Sequence, residues 1–176
     1  MKTDNIERYL NSFGKQVVNR AKGNLQRAKK GGALEDSIKF KVIPDAKGFK
    51  LEFYMSNYGA FVDKGVSGNK QSRKFKDYKN KTISSPYKYG NKQPPPDILA
   101  KWISKKGLKG RDKKTGRYIS NMSLAFIIGR KIKRDGIQGI SFFQKPLGLG
   151  LKQFGKDLLK NVKEDIIQEL QTTTVK

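Results

Sequence analysis

The spacing of apolar residues switches from a helical to a strand period within the first third of the chain, and this switch limits the fold more than any other feature. Between residues 4 and 30 the apolar residues recur every three or four positions: Ile6, Leu10, Phe13, Val17, Ala21, Leu25 and Ala28. This spacing predicts one long amphipathic helix. Apolar and charged residues then alternate over 38–42 and 49–53, on either side of a "PDAKG" turn. Alternation around such a turn predicts an antiparallel β-hairpin.

Two shorter helices are predicted in the second half of the chain. In "DILAKWISKKGL" Asp97 is a predicted N-cap, and Gly107 suits the left-handed residue that ends a helix. In "SLAFIIGRKIKRDGI" Gly136 is predicted to end the helix in the same way. Trp102 lies on the apolar side of the first of these helices, so it is predicted to be a core residue.

The chain is predicted to close with a short strand and a last helix. Pro146 interrupts the apolar "ISFFQKPLGLG", which therefore suits an edge strand or a docking segment. An apolar stripe over 151–171 predicts the helix. Together these elements give an α+β fold, which we expect to form a single domain over residues 1–176 with an extended basic arm at about 69–96.

The predicted arm combines many cations with aromatic residues. Its cations include Lys70, Arg73, Lys74, Lys76, Lys79 and Lys81, and its aromatic residues are Phe75, Tyr78, Tyr87 and Tyr89. Loops of this length with no secondary structure of their own are usually functional or disordered. Such a segment can follow a phosphate backbone and stack bases. Alternatively, the aromatic residues anchor it on a neighbouring subunit while the lysines stay hydrated, and the sequence favours neither interpretation.

Positive charge dominates the chain, with 39 Lys and Arg residues against 15 Asp and Glu residues and a formal net charge of +24. A second basic segment, "KGRDKKTGRY", carries Lys109, Arg111, Lys113, Lys114 and Arg117. So large an excess of one charge repels itself, and it predicts contact with a polyanion or with an acidic protein surface.

Patterns that would support catalysis or metal binding are weak. The chain has no Cys and no His, which removes thiolate nucleophiles, histidine bases and the usual zinc ligands. The order of Asp45 and Asp112 along the chain resembles only loosely the order of acids in a metal-dependent nuclease. The adjacent acids at 35–36 and 164–165 suit exposed helix positions. We therefore expect no enzymatic activity and predict no cofactor.

The glycines of "YGAFVDKGVSG", at 58–68, raise the question of a phosphate-binding loop. "GVSGNK" lacks the glycine spacing of a Walker loop. "GVSG" matches the four-residue clamp of a KH domain, but a hairpin precedes it where a helix is expected. We therefore predict that these glycines serve turns, with Phe61 and Val62 packed under the hairpin and Gly65 redirecting the chain into the basic arm.

Five short motifs follow one another along about residues 5–170. Their positions are Leu34, Ser37 and Ile38; Tyr58, Phe61, Val62, Asp63 and Gly65; Trp102, Ile103, Lys106 and Gly107; Ala125, Ile128, Arg130, Ile132, Gly136 and Ile137; and Phe142, Phe143 and Pro146. In this order the motifs resemble those of the tail-completion or neck proteins of long-tailed bacteriophages, also called head–tail joining proteins or minor tail components.

The resemblance implies a structural virion protein without catalytic activity. Such a protein is an α+β subunit that assembles as a homo-oligomeric ring at the portal–tail junction, around a channel for DNA. The implied partners are further copies of the chain, the portal-side and tail-tube proteins of the virion, and packaged DNA through non-specific contact. The implied location is the neck or tail of the virion, after synthesis in the host cytoplasm.

The two basic segments and the motif residues then divide into two sets of predicted contacts. The predicted assembly contacts are Tyr58, Phe61, Val62, Asp63, Gly65, Phe75, Tyr78, Tyr87, Tyr89, Phe142 and Phe143. The predicted contacts with DNA or an acidic partner are Lys70, Arg73, Lys74, Lys76, Lys79, Lys81, Lys109, Arg111, Lys113, Lys114 and Arg117. The alternative function is a stand-alone basic nucleic-acid-binding module. No apolar run approaches the roughly 18 residues needed to span a bilayer, so no membrane partner is expected.

Overall fold

The computed structural model describes residues 4–45 and 48–174, with side chains up to Gln168. The helices of this part are α1 (Asp4–Arg27), α2 (Ala33–Ser37), α3 (Gly59–Lys64), α4 (Pro96–Lys105), α5 (Asn121–Asp135) and α6 (Gln144–Thr174). The strands are β1 (Lys39–Asp45), β2 (Gly48–Tyr54), β3 (Val66–Ser67), β4 (Lys74–Lys76), β5 (Thr82–Ser84) and β6 (Gly136–Ile137). This order confirms the predicted α+β class.

The described strands pair two by two, β1 with β2, β3 with β6 and β4 with β5. The first pair is the predicted hairpin, with Phe40 opposite Phe53 in antiparallel register. Ala46 and Lys47, in the predicted turn, lie outside the described residues. No helix among the described residues is long and apolar enough to cross a membrane.

The chain divides into two compact units. The first unit comprises the described residues within 1–63, 76–82 and 140–176, and the second comprises residues 64–75 and 83–139. Residues 69–96, predicted as one arm, therefore contribute to both units.

In the first unit, α6 and the β1–β2 hairpin pack against α1. The buried core consists of Phe13, Val17, Val18, Ala21, Leu25, Leu34, Ile38, Phe142 and Phe143. Phe13 meets Phe154 edge-on, with 4.8 Å between the ring centroids. The side of α1 that carries the predicted apolar stripe is thus the side that the core covers.

A buried carboxylate also joins the two long helices. Asp165 of α6 is 1% exposed and accepts hydrogen bonds from the backbone N–H groups of Asn5 and Ile6, each at 3.1 Å. These N–H groups have no partner within α1, and a negative charge is favourable at a helix N-terminus. The prediction that Asp165 is exposed is therefore wrong, whereas Glu164 beside it is exposed.

The segment "ISFFQKPLGLG" is not an edge strand, because α6 already begins at Gln144. Pro146 lies in the first turn of α6, where a missing N–H removes no intrahelical hydrogen bond. Phe142 and Phe143, just before the helix, are 0% and 9% exposed. The segment therefore combines two core residues with a helix start.

In the second unit α4 packs against α5, and α4 ends as predicted. Gly107 has a φ of 63°, and its N–H donates to the carbonyl oxygen of Ser104 at 3.0 Å. The N–H of Leu108 donates to the carbonyl oxygen of Ile103 at 3.1 Å. These two bonds form the Schellman motif that a C-terminal glycine favours.

The two helices start differently from each other. α4 begins at Pro96, whose fixed φ suits the first helical position, so Asp97 is a first-turn residue and the predicted N-cap is wrong. α5 has a side-chain cap, because the hydroxyl of Ser120 accepts the N–H of Ser123 at 3.1 Å. Gly136, with a φ of 75°, ends α5 as predicted.

Candidate functional site: exposed apolar and basic surfaces

The glycines within 58–68 allow two main-chain segments of the second unit to approach closely. β3 pairs antiparallel with β6 in this unit. A Cβ atom at Gly68 would overlap the carbonyl oxygen of Arg134, and one at Gly65 would overlap the backbone nitrogen of Gly139. Gly65 also has a φ of 76°, which disfavours other residues. These glycines therefore serve chain packing.

The same segment is not built as a phosphate cradle, because its backbone N–H groups are already engaged. Four successive N–H groups donate to carbonyl oxygens of the second unit at 2.8–3.0 Å, those of Ser67, Gly68, Asn69 and Lys70. A backbone anion site needs several N–H groups that converge on the ligand. The structure thus agrees with the prediction that this segment is not a phosphate cradle, and it assigns Gly68 to close main-chain packing.

Asp63, in the same motif, holds the start of α6 within the first unit. Its side chain is 3% exposed, and one carboxylate oxygen accepts the N–H of Phe143 at 2.8 Å and that of Gln144 at 3.5 Å. The backbone carbonyl oxygen of Asp63 also accepts the N–H of Ser141 at 2.9 Å. The carboxylate therefore acts as an N-terminal cap supplied by a distant part of the chain.

The structure divides the predicted assembly contacts into three groups. The exposed group is Tyr58, Phe61 and Tyr78, at 44–46%. The half-buried group is Val62, Tyr87 and Tyr89, and the buried group is Asp63, Gly65, Phe75, Phe142 and Phe143. Val62 packs against the core as predicted, but the exposure of Phe61 contradicts its predicted position under the hairpin. The buried group belongs to the interior of the chain, so the other two groups offer surface to a partner.

Residues 69–96 contain more regular structure than predicted. β4 and β5 pair within this segment, and Asp77 closes the turn between them. The carboxylate of Asp77 accepts the N–H of Lys81 at 2.8 Å, and the N–H of Asp77 donates to the carbonyl oxygen of Lys81 at 2.9 Å. The prediction of a loop without secondary structure is therefore wrong. The sequence did not reveal these strands because each is only three residues long and gives little periodic signal.

Most of the predicted cationic contacts in this segment are available to a partner. The exposed ones are Lys70, Lys74, Lys76, Lys79 and Lys81. Arg73 differs because it is half-buried, and its Nε donates to the carbonyl oxygen of Asp135 at 2.7 Å. Arg73 therefore stabilises the second unit, whereas the lysines stay exposed.

A compact turn at 109–118 carries the second cationic cluster. Arg111 and Tyr118 form an antiparallel bridge, and the guanidinium lies 4.5 Å from the ring centroid while donating to the hydroxyl at 2.6 Å. The ammonium of Lys109 lies 5.8 Å from the same centroid, and Tyr118 is 61% exposed. Lys113, Lys114 and Arg117 are also exposed. Such a cluster offers charge to phosphates and an aromatic ring to a base.

Asp112 is engaged in closing this turn. Its Oδ1 accepts the N–H of Thr115 at 2.8 Å, the hydroxyl of Thr115 at 3.1 Å and the N–H of Lys114 at 2.9 Å. These bonds, those of Thr115 first, hold the pKa of Asp112 below its ordinary value. In the described part of the chain no group of three or more Asp, Glu, His or Cys side chains converges as a possible metal site.

An exposed apolar surface on α4 and α5 was missed by the sequence prediction. Trp102, predicted to be a core residue, is 44% exposed, and Ile98 on the same helix is 66% exposed. On α5 the exposed apolar side chains are Met122, Phe126 and Ile127. Helical periodicity identifies an apolar side, but it does not tell whether the same chain covers that side.

An open groove of about 330 Å³ lies between α4 and α5. It is lined by Ile98, Leu99, Trp102, Ile128 and Ile132. Lys101 and Lys105 on α4 and Lys131 on α5 are exposed and stand within one helical turn of lining residues. The α4–α5 groove thus has an apolar lining, and exposed charges of both signs, including Asp97, occur on the same two helices.

A functional inference for this chain rests on the α4–α5 groove and on the exposed cations of 69–96 and 109–118, because comparison with known proteins finds no match. No protein family, no curated protein and no solved structure matches the chain.

Proposed function

We propose that this chain is a structural virion protein that assembles as a ring at the portal–tail junction of a bacteriophage, joining head to tail around the DNA channel. The observation that carries the proposal is the exposure of large apolar side chains. Among the described residues, 19 large hydrophobic side chains are exposed, against 13 hydrophobic residues in the buried core. Where such side chains adjoin, as Ile98 and Trp102 do in the α4–α5 groove, the surface is typical of one that a partner covers.

The charge of the chain supports a position beside DNA. The net charge is +24, and exposed cations occur both in 69–96 and in the turn at 109–118. A ring of like-charged subunits around a DNA channel is favoured by attraction to the phosphates.

Negative-stain imaging of portal complexes reconstituted with the purified chain tests the proposal. We expect an added ring of density at the tail-facing end of the complex, present only when the chain is supplied. Portal complexes that stay unchanged at a large excess of the chain would contradict the proposed location.

A stand-alone nucleic-acid-binding module is the second candidate, and the cluster around Tyr118 favours it. Replacement of Lys113, Lys114 and Arg117 by Gln should then weaken binding to duplex DNA and make its salt dependence less steep. The matched control replaces exposed Lys15, Arg20 and Lys30 by Gln, which removes the same number of charges at a distance in sequence from both basic segments.

The segment 69–96 gives a further way to separate the two candidates. Replacing Lys74, Lys76, Lys79 and Lys81 by Gln should abolish DNA binding if the module is the correct function. Tyr78→Ala should instead impair assembly if the segment docks on a neighbour, because Tyr78 is 44% exposed. Phe75 is unsuitable for this comparison, since it is 5% exposed and its replacement would also lower stability.

A further inference from the structure

We propose that two copies of the chain pair through the outer edge of β2, so that their two hairpins form one four-stranded antiparallel sheet. Such a contact has two-fold symmetry and closes on two copies. It therefore concerns the free chain before ring assembly, and it does not rest on the proposed ring. The unpaired edge of β2 and the order of side chains along this strand carry the inference.

The edge of β2 that faces away from β1 is paired with no strand in the described part of the chain. The sheet has only two strands, so β2 is bonded to β1 on one side alone. The other side therefore carries backbone N–H and C=O groups that a further strand can bond. β2 runs for seven residues in unbroken register with β1, without a bulge that would turn this edge away.

The edge of β1 is protected in ways that the edge of β2 is not. Pro44 lies within β1 and has no N–H for a strand ladder. Lys39 and Lys41 are both exposed on the same strand. Proline and lysine are residues by which edge strands resist the addition of another strand. β2 contains no proline, and its charged residues are one Lys and one Glu, so β2 is the edge open to pairing.

The side chains of β2 alternate between two sides of the hairpin. Phe49, Leu51 and Phe53 share one side, on which Leu51 and Phe53 pack against the core of the first unit. All three are only half-buried. Lys50 and Glu52 lie on the opposite side, where they form an ion pair. A further strand at this edge would therefore cover apolar surface on one side and meet charges on the other.

A second copy of β2 fits this edge only when the two sides of the strand stay separate. Directly opposite residues of an antiparallel pair project their side chains to the same side of the sheet. A register that is wrong by one residue would place the apolar side chains of one strand opposite the charged side chains of the other. Opposite residues in a pair of β2 strands must therefore be both odd-numbered or both even-numbered.

Charge then selects one of the remaining registers. When Leu51 lies opposite Leu51 of the second copy, each Lys50 lies opposite Glu52 of the other copy. A shift of two residues in one direction would place Lys50 opposite Lys50, and a shift in the other direction would place Glu52 opposite Glu52. Opposite charges across an antiparallel pair are favourable, whereas like charges are unfavourable. β2 is thus complementary to a second copy of itself.

The selected register also extends the pairing that the hairpin already has. Within the hairpin Lys41 is opposite Glu52, and Phe40 is opposite Phe53. In the paired sheet Glu52 would lie between Lys41 of its own copy and Lys50 of the second copy. On the core side Phe53 would lie between Phe40 of its own copy and Phe49 of the second copy. Each row across the sheet therefore gains a residue of suitable charge or polarity.

Single cysteines test this register, because the chain has no Cys of its own. Leu51 would face its counterpart at a Cα separation of about 4.5–5.5 Å, which a disulfide can bridge. We expect Leu51→Cys to form disulfide-linked dimers under mild oxidation at least about fivefold faster than Val42→Cys. Val42 is a matched control, since it is opposite Leu51 in the hairpin and equally half-buried. Its counterpart would lie three strands away, at about 14 Å. Equal linking of both variants, or no linking of Leu51→Cys, would overturn the inference.

A mixture of the two cysteine variants separates this contact from a head-to-tail one. If β2 paired instead with β1 of the next copy in the register of the hairpin, Leu51→Cys and Val42→Cys would link to each other. We expect Leu51→Cys to link mainly to itself in the mixture. Mixed dimers in place of Leu51→Cys dimers would overturn the two-fold contact.

Charge variants test the same register without cysteines, by sedimentation velocity at concentrations below those at which larger oligomers form. Lys50→Glu should raise the dissociation constant of the dimer about fivefold or more, because each contact then has two Glu–Glu pairs. Lys50→Glu combined with Glu52→Lys restores opposite charges and should return the constant to within about twofold of the unmodified value. The control Lys113→Glu changes the net charge as much as Lys50→Glu does and should alter the constant less than about twofold. A combined variant as weak as Lys50→Glu, or an unmodified chain without dimers, would contradict the contact.

The outcomes separate this inference from the proposed function. If Leu51→Cys links and portal complexes never acquire the chain, the β2 contact stands and the proposed location is wrong. If rings form on portal complexes while Leu51→Cys never links, the ring stands and the β2 contact is wrong.

Discussion

The carboxylate of Asp63 accepts the backbone N–H of Phe143 at 2.8 Å, across 80 positions of the chain. Both residues are buried, at 3% and 9% exposure. Because Phe143 stands at the start of α6 and within the core of the first unit, this one bond links the "YGAFVDKG" motif to the placement of the longest helix.

Replacing Asp63 should therefore destabilise the first unit. Asp63→Ala leaves the buried N–H of Phe143 without its acceptor and should lower the free energy of unfolding by about 1–3 kcal/mol. Asp63→Asn keeps an acceptor oxygen and should lower it less. Urea unfolding of both variants, with hydrogen exchange at the Phe143 amide, checks this. Unchanged stability and exchange in Asp63→Ala would show that the cap contributes nothing.

Two isoleucines of α4 provide a matched pair for the exposed apolar surface. Ile103 is 0% exposed and Ile98 is 66% exposed. Ile103→Ala should lower the free energy of unfolding by about 2–5 kcal/mol, because it opens a cavity in a packed interior. Ile98→Ala should change it by less than about 0.5 kcal/mol. Thermal unfolding of the dilute protein measures both values, and similar losses in the two variants would mean that α4 is oriented differently.

Gly68 tests the close main-chain approach in the second unit. Gly68→Ala places a Cβ against the carbonyl oxygen of Arg134, a backbone atom that cannot move aside cheaply, and should cost about 1–3 kcal/mol. Gly90→Ala meets nothing within 4 Å and serves as the control. Equal stability of the two variants in urea would argue against the close approach of Gly68 to the backbone of Arg134.

The turn at 109–118 should depend on pH through Asp112. Hydrogen bonds from Thr115 and Lys114 hold its folded pKa below the ordinary value. The carboxylate therefore stabilises the turn above the unfolded pKa, and this contribution disappears as the pH falls through the lower, folded pKa. Nuclear magnetic resonance titration of the Asp112 carboxyl carbon should give a midpoint below that of a model aspartate, with loss of the Thr115 amide shift in the same range. An ordinary midpoint would contradict the turn geometry.

Features decided by neighbouring residues could be predicted from the sequence. The β1–β2 hairpin follows from alternation around a turn, and α1 follows from a stripe that continues over many turns. The end of α4 follows from Gly107, because a left-handed residue and its two hydrogen bonds involve only adjacent positions.

Features decided by distant residues could not be predicted in this way. Asp165 has the sequence of an exposed helix acid, and only the approach of α1 makes it a buried cap. α6 begins ahead of Pro146 because Asp63 and the core fix its first turn. Trp102 has the periodicity of a core residue, but periodicity carries no information on which molecule covers it.

The same limit applies to the two candidate surfaces. The basic turn at 109–118 was evident from composition, and the structure adds the stacking of Arg111 on Tyr118. The α4–α5 groove was not evident, because its lining residues resemble an ordinary interior when only the sequence is known.

Mass photometry of the purified full-length chain over a wide concentration range tests the central claim of ring assembly most directly. We expect a discrete oligomer of uniform mass that becomes dominant as concentration rises. A particle that stays at the mass of one chain, 19.9 kDa, at every concentration and in the presence of portal complexes, while binding duplex DNA with steep salt dependence, would contradict it.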